Sequence, residues 1–431
     1  MSAAPLAYAA MTPRYRHYAL FVFWLASMVS FLDRHIMSVL LEPIKADLHF
    51  SDTELGLLGG LAFSVFYVVF GFPIARLVER FNRRNILALS VLAWSAMASL
   101  CGMATGFMSF FFARSGVAIG EAGGAPAIQS LVADHFPPER RGAAFAVLGT
   151  AITASIMTAY LFGGWLSQAV GWRWTFVIMG APGLVLALLI RATLAEPERG
   201  ASENRAASAA TPPFLETIRT LWSRAAYRNA ALGGAAAGMA AWGSGVWLTS
   251  FLVRVHGLTV AEAGAALGLI FGVVGTIGTL AGGVAVDRLV ARSGDTGWYM
   301  RLSAIGMIAA APLAATAYLA PSLTMMLVML TVTIFAAHLY SGPVTAMVQG
   351  LAKLRMRGTA TAFYSLINGL VAMGLGPLLV GGASDLFGTE YGSEALRYAL
   401  VTVVCSAYAV AALFFWFSSR TLRADLLEAA Q

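Results

Sequence analysis

Apolar stretches of about twenty residues recur along this chain, each bounded by charged or turn-forming residues, and that recurrence limits it to very few folds. Twelve can be counted, near 18–41, 54–77, 86–106, 109–131, 142–167, 172–194, 228–253, 261–286, 299–319, 322–349, 358–383 and 395–418. Inside hydrocarbon the backbone amides and carbonyls must bond to one another, so stretches of this length fold as helices. Composition agrees: 59% of the 431 residues are hydrophobic and only 11% are charged, where a soluble domain carries about a quarter. The expectation is an all-α membrane protein with twelve transmembrane helices.

The one long polar break, 195–225, separates six stretches from six. It predicts an N-terminal bundle over 1–194, a linker over 195–225 with an amphipathic helix around Phe214–Trp222, and a C-terminal bundle over 226–431. Of the 28 Lys and Arg residues, 22 fall in loops on one side, and only Lys45, Arg173, Arg254 and Arg397 fall on the other. Arg34 and Arg114 lie within stretches. The excess of cations on the cytoplasmic side of membrane proteins puts both termini and the linker in the cytoplasm. The same spread of basic residues over seven segments makes the net charge of +7 a mark of topology, so no nucleic-acid partner is expected.

The N-terminus, MSAAPLAYAAMTPRYRHY, lacks a basic start followed by a short apolar core, so a cleaved signal peptide is not expected. Cys101 and Cys405 sit in apolar runs and are read as packed thiols. The six histidines lack the close spacing of metal ligands, and no nucleotide motif or nucleophile–base pair occurs. Neither an enzyme, a cofactor, a metal nor an ATP-driven pump is expected.

Against this background Phe31-Leu32-Asp33-Arg34-His35 stands out, because it puts an acid and a base inside the first stretch. Charges in a bilayer cost several kcal/mol unless paired or in a wet cavity, and they mark function by default. Neighbouring helical residues point about 100° apart, so Asp33 and Arg34 each need a partner from another helix. The fourth stretch supplies Arg114 and Glu121 on one face, about 10 Å apart along the axis. Counting depth at 1.5 Å per residue, Arg114 suits Asp33 and Glu121 is in reach of Arg34. Two acids and two bases sum to zero. They are either a structural cluster that orients two helices or a proton-coupling site. In the second reading Asp33 is the main proton-coupling carboxylate, and Glu121 is the alternative carrier or the clamp on Arg34. Arg34, always charged and able to bind oxyanions bidentately, is the candidate receiver of a substrate phosphate or carboxylate. His35 is either a proton shuttle or a packed polar residue. His338, Tyr340, Trp242, Trp247, Tyr364 and Asn368 are cavity candidates in the second half, weighed against plain core packing. Gly264, Gly268, Gly272, Gly275, Gly278 and Gly282 form a small-residue face for close helix packing, and Gly120, Gly123, Gly124 and Pro126 could bend the fourth stretch.

An acid–Arg pair follows the second stretch, in Ala75-Arg76-Leu77-Val78-Glu79-Arg80-Phe81-Asn82-Arg83-Arg84, and another follows the eighth, in Gly283-Val284-Ala285-Val286-Asp287-Arg288-Leu289. The first copy resembles the hallmark loop of the major facilitator superfamily, G-x-x-x-D-R-x-G-R-R, departing from it at Ala75, Glu79 and Asn82. That resemblance implies a cytoplasmic gating role for Glu79, Arg80, Arg83 and Arg84, with Asp287 and Arg288 in the second copy. Within the superfamily, residues 30–200 resemble the spinster-like branch. The segments that carry the likeness are FLDRHIMSVLLEPIKADLHFSD, GLLGGLAFSVFYVVFGFPIARLVERFNRR, ARSGVAIGEAGGAPAIQSLVADHFPPERRGAA, and GWRWTFVIMGAPG through to EPERG. The resemblance implies two six-helix bundles of the major facilitator fold, alternating access, and proton-linked movement of an amphiphilic lipid of the lysophospholipid or sphingosine-phosphate kind. It also implies functional roles for Asp33, Arg34 and Glu121, and a monomer in a bacterial inner membrane among membrane lipids. A proton-coupled organic-anion carrier, a drug or sugar exporter and a non-transporting sensor are the competing readings.

Overall fold

A computed structural model of the protein describes residues 11–200, 214–353 and 356–430. Residues 201–213 of the expected linker, and the first ten residues read for a signal peptide, lie outside the described residues. Among the described residues every extended element is a helix. In order they are α1 (Pro13–Leu48), α2 (Asp52–Arg80), α3 (Arg83–Cys101), α4 (Phe107–Glu121), α5 (Gly124–His135), α6 (Pro138–Thr193), α7 (Phe214–Ser223), α8 (Ala225–His256), α9 (Val260–Ser293), α10 (Trp298–Tyr318), α11 (Leu323–Gly350) and α12 (Arg357–Ala429). Nine of them are long and apolar enough to cross a bilayer.

Their limits follow from local chemistry. Thr12 caps α1 by accepting from the Tyr15 amide, Pro13 occupies the first turn where its missing N–H costs nothing, and His49 closes the helix in the left-handed conformation. Ser51 and Glu54 form a reciprocal capping box that starts α2. The stretch expected at 109–131 is not one straight helix: it breaks into α4 and α5 at Ala122–Gly123. Glycines permit the break to pack tightly, since a Cβ on Gly120 would meet the backbone of Trp94, and one on Gly123 would meet Ser90 and Ile74. α6 runs for 56 residues through the expected boundary between two stretches. At about 84 Å it is far too long for one crossing, and Gly171 interrupts it at φ 82°, ψ 162°. The amphipathic helix expected near Phe214–Trp222 is α7.

The helices group into two compact units. One holds α1, α2 from Ala62 onward, α3 to α6 and Val260–Gly268 of α9. In it α6 packs along both α1 and α3, and α3 along α4. The other holds Ser51–Leu61 of α2, α7, α8, the remainder of α9 and α10 to α12. Its central helix is α8, with 72% of its apolar window buried. Ala and Gly dominate that helix, which lets neighbours approach closely: Phe415 packs on Gly233, Tyr364 on Gly234 and Asn368 on Gly238. α2 and α9 each contain a π turn, Leu57–Leu61 and Ile270–Val274, beside the residue where their membership changes.

Candidate functional site

The charged residues of α1 and α4 meet inside the first unit. Arg34 donates from Nε to Glu121 Oε2 at 2.7 Å, with its Nη2 at 2.6 Å from the same oxygen. Ser30, one turn before Arg34, donates to that oxygen at 2.9 Å. Glu121 is 2% exposed, and its other carboxylate oxygen has no hydrogen-bond partner. Phe31, Phe63 and Tyr67 close round the guanidinium of Arg34, with ring centres 4.9–5.1 Å from its Cζ. Rings at that distance attract the cation by their quadrupoles. Arg114 lies 5.4 Å from the same Phe63 ring, so one aromatic face is shared by both guanidinia.

Asp33 is placed differently from the depth argument. Arg114 reaches it, but Nη1 donates to the backbone oxygen of Asp33 at 3.2 Å and not to the carboxylate. Both carboxylate oxygens of Asp33 are buried without a hydrogen-bond partner, and the residue is 1% exposed. The reason is geometric: a donor two turns from Glu121 along α4 meets whatever part of α1 is turned to it, and here that part is a peptide carbonyl. His35 points to the ring of Tyr160 on α6, 6.3 Å between centres.

The other candidates are dispersed. Trp247 is fully buried and donates to the Pro377 carbonyl at 2.9 Å, so it is core. Trp242 is half-buried on α8. His338 turns back on α11 to the Ile334 carbonyl at 2.8 Å and packs on Gly275 and Gly278. Tyr340 lies against Phe415. Asn368 bonds the Tyr364 carbonyl at 3.1 Å. In the repeated loop, Glu79 and Arg80 are exposed, as are Asp287 and Arg288. Asp287 accepts from the Tyr299 hydroxyl at 2.9 Å. The buried contacts are instead made by Arg83 and Arg84. Arg83, 1% exposed, binds Asp134, Glu196 (2.8 Å), Ser130 (3.0 Å) and the Pro197 carbonyl (2.8 Å). Glu196 also accepts from the Arg84 amide at 2.9 Å, and Arg199 donates to the carbonyls of Val78 and Phe81. Asp134 and Glu196 were not singled out in the sequence, although both stand in the segments that carry the family likeness.

A second missed group lies in the other unit. Arg254 on α8 grips Asp52 at the start of α2 bidentately, at 2.6 and 2.8 Å, and Ser384 donates to the same carboxylate at 2.6 Å. Asp385 in turn accepts from the amides of Asp52 and Thr53 and from the Thr53 hydroxyl, at 2.6–3.0 Å. These acceptors satisfy amides that a helix start leaves open. In the sequence Arg254 carried only a topological meaning; the capping residues Ser51 to Glu54 were the available signal.

Buried charges that converge between two helices of a multi-pass membrane protein mark a functional site by default. The chain belongs to the major facilitator superfamily, whose family profile matches residues 23–377. An MFS-type efflux pump of Mycolicibacterium smegmatis is 31% identical over 423 residues, spanning 97% of this chain and 96% of the pump. A hexuronate transporter of Bacillus subtilis is 25% identical over 387 residues, or 87% of this chain and 89% of that protein. The fold is spinster-like. A crystal structure of a bacterial homolog to the human lysosomal transporter spinster, inward-facing and unoccupied, matches with a TM-score of 0.87 at 30% identity, covering 96% of this chain and 99% of that one.

Proposed function

We propose that this transporter moves an amphiphilic anionic lipid, of the lysophospholipid or sphingosine-phosphate kind, in exchange for energy from the proton gradient. The observation that carries the reading is Asp33: a buried carboxylate with no hydrogen-bond donor, on the same helix as the Arg34–Glu121 pair. A carboxyl so placed changes the charge of the whole cluster when it gains a proton, from zero to +1, without first breaking a hydrogen bond. The positive cluster then favours an anionic headgroup at Arg34, whose guanidinium is the least buried part of the pair, at 13% side-chain exposure. Proton and anion thus occupy the site together, and Arg114 holds α1 in register through the Asp33 carbonyl. Glu121 is the clamp on Arg34, and the apolar cast of the second half offers few polar groups for a sugar but suits an acyl chain.

The proposed architecture has twelve spans in two bundles, 1–194 and 226–431, joined by the linker 195–225, with both termini in the cytoplasm and the protein acting as a monomer in a bacterial inner membrane. Support for the count comes from reading α4 with α5 as one crossing, α6 as two about Gly171 and α12 as two about Gly392. Cytoplasmic gating then falls to Arg83 and Arg84 with Asp134 and Glu196.

Uptake into proteoliposomes under an imposed pH gradient tests the function. Lysolipid accumulation is expected in the wild type and its loss in Asp33→Asn, with substrate binding retained; gradient-driven accumulation by Asp33→Asn refutes the coupling role. The likeness to a hexuronate transporter favours one second reading, a proton-coupled carrier of small organic anions. Competition by small carboxylates but not by lysolipids would select it.

A further inference from the structure

Away from the charge cluster, a crevice of about 680 Å³ opens in the first unit between the beginnings of α1 and α6. Its walls follow one face of each helix. Pro13, Arg16, His17 and Leu20 recur at helical spacing on α1, and Arg140, Ala143, Ala144 and Val147 do so on α6. Among the described residues that line it Arg16, His17 and Arg140 are basic and none is acidic, and the bases lie towards one end. The other end is apolar. Deeper still, the Trp24 indole donates to Thr150 at 2.9 Å and ties the two helices together. From Pro13 to Leu20 its α1 wall rises about 10 Å. Both helices begin at its basic end, so their dipoles add positive potential there, and α6 starts without a side-chain cap.

A basic mouth over an apolar floor, on a protein immersed in lipid, is complementary to one kind of molecule. Val147, on the crevice wall, and Phe21, beside it, are 45% and 55% exposed, an apolar surface along which an acyl chain can lie. We infer that the crevice is a binding site for an acidic phospholipid of the surrounding leaflet, the phosphate held by Arg16 and Arg140 and the first part of a chain lying along Leu20, Ala144 and Val147. Arg140 is exposed and Arg141, next to it, is turned away to the carbonyls of Ala133 and Phe136, which leaves the anion-binding task to the former. The site is separate from Arg34, and its occupant is a resident lipid and not the transported one.

The test compares protein in nanodiscs of phosphatidylcholine with graded fractions of phosphatidylglycerol, reading retained lipid by native mass spectrometry and thermal stability in parallel. The wild type is expected to retain phosphatidylglycerol selectively. The double variant Arg16→Ala/Arg140→Ala is expected to bind it about thirty-fold more weakly, from roughly one interaction per guanidinium. Val147→Trp, which fills the floor without altering charge, also displaces it. Arg14→Ala, an exposed arginine that does not line the crevice, leaves retention unchanged. Equal retention of both lipids by the wild type, or wild-type retention by both crevice variants, overturns the inference. So does an equal loss in Arg14→Ala, which would mean general attraction to a basic surface. Because retention is read without transport, a failure of lipid flux leaves this result standing, and the reverse also holds.

Discussion

Removing either partner of the Arg34–Glu121 pair separates a structural from a functional role for the cluster. Glu121 Oε2 receives three donors, two from Arg34 at 2.6–2.7 Å and one from Ser30 at 2.9 Å, and the carboxylate is fully buried while the guanidinium retains 13% exposure. Breaking such a pair leaves an uncompensated charge, at a cost of about 3–5 kcal/mol, whereas replacing both partners by apolar residues of similar volume is often near neutral. Glu121→Leu alone, and Arg34→Met alone, should therefore each destabilise by about 3–5 kcal/mol. The double variant Arg34→Met/Glu121→Leu should return to within about 1–2 kcal/mol of the wild type. Chemical unfolding in mixed micelles measures the cycle, and the same preparations are assayed for flux in liposomes. If the pair only orients α1 against α4, the stable double variant transports as the wild type does. If the pair binds and couples, the double variant is stable and inert. Single variants that lose less than about 1 kcal/mol would refute the premise that this is a buried, dry pair.

Two further outcomes follow from the contacts that the sequence did not reveal. Arg254→Ala strips the buried Asp52 carboxylate, which also accepts from Ser384, of its bidentate cationic partner, so a loss of about 3 kcal/mol or more is expected in thermal or chemical unfolding. Arg254→Lys, which lacks the planar fork, should recover only part of it, and full recovery would show that charge alone suffices. Arg83→Ala removes the guanidinium that Asp134 and Glu196 share; it should cost more than Arg80→Ala, whose side chain is exposed, and similar values for the two would contradict the buried clasp.

Much of the helical inventory was legible because the bilayer imposes it. Hydrocarbon thickness sets a minimum apolar length, and unsatisfied backbone groups exclude anything but helix, so runs such as 228–253 announce α8 without reference to any contact. The pairing of Arg34 with Glu121 was legible for a similar reason: rise per residue converts sequence position into depth, and opposite charges at matching depth find each other in a low dielectric. Family likeness added membership of the superfamily, since several separated segments matched in order.

Local breaks were less visible. The break at Ala122–Gly123 falls inside the single apolar stretch 109–131, where no pattern of hydropathy marks it, whereas Gly171 lies in the gap between 142–167 and 172–194. Likewise the loop residues Glu79 and Arg80, prominent in the motif, stay exposed, while their neighbours Arg83 and Arg84 turn inward to Asp134 and Glu196 from other helices. Which side of a helix end faces inward depends on rotation about its axis, and side-chain packing along the whole helix sets that rotation.

The amino-acid sequence by itself determined that this chain is a helical membrane protein of the major facilitator superfamily, and which four charges lie within its first and fourth apolar stretches, because length, hydropathy and depth are one-dimensional quantities. Tertiary structure alone decided that Arg114 meets the carbonyl of Asp33 and not its carboxylate, and that Asp52 binds Arg254 and Ser384. Those outcomes turn on ångström-scale approach between helices far apart in the chain, where a single rotation exchanges one hydrogen-bond partner for another.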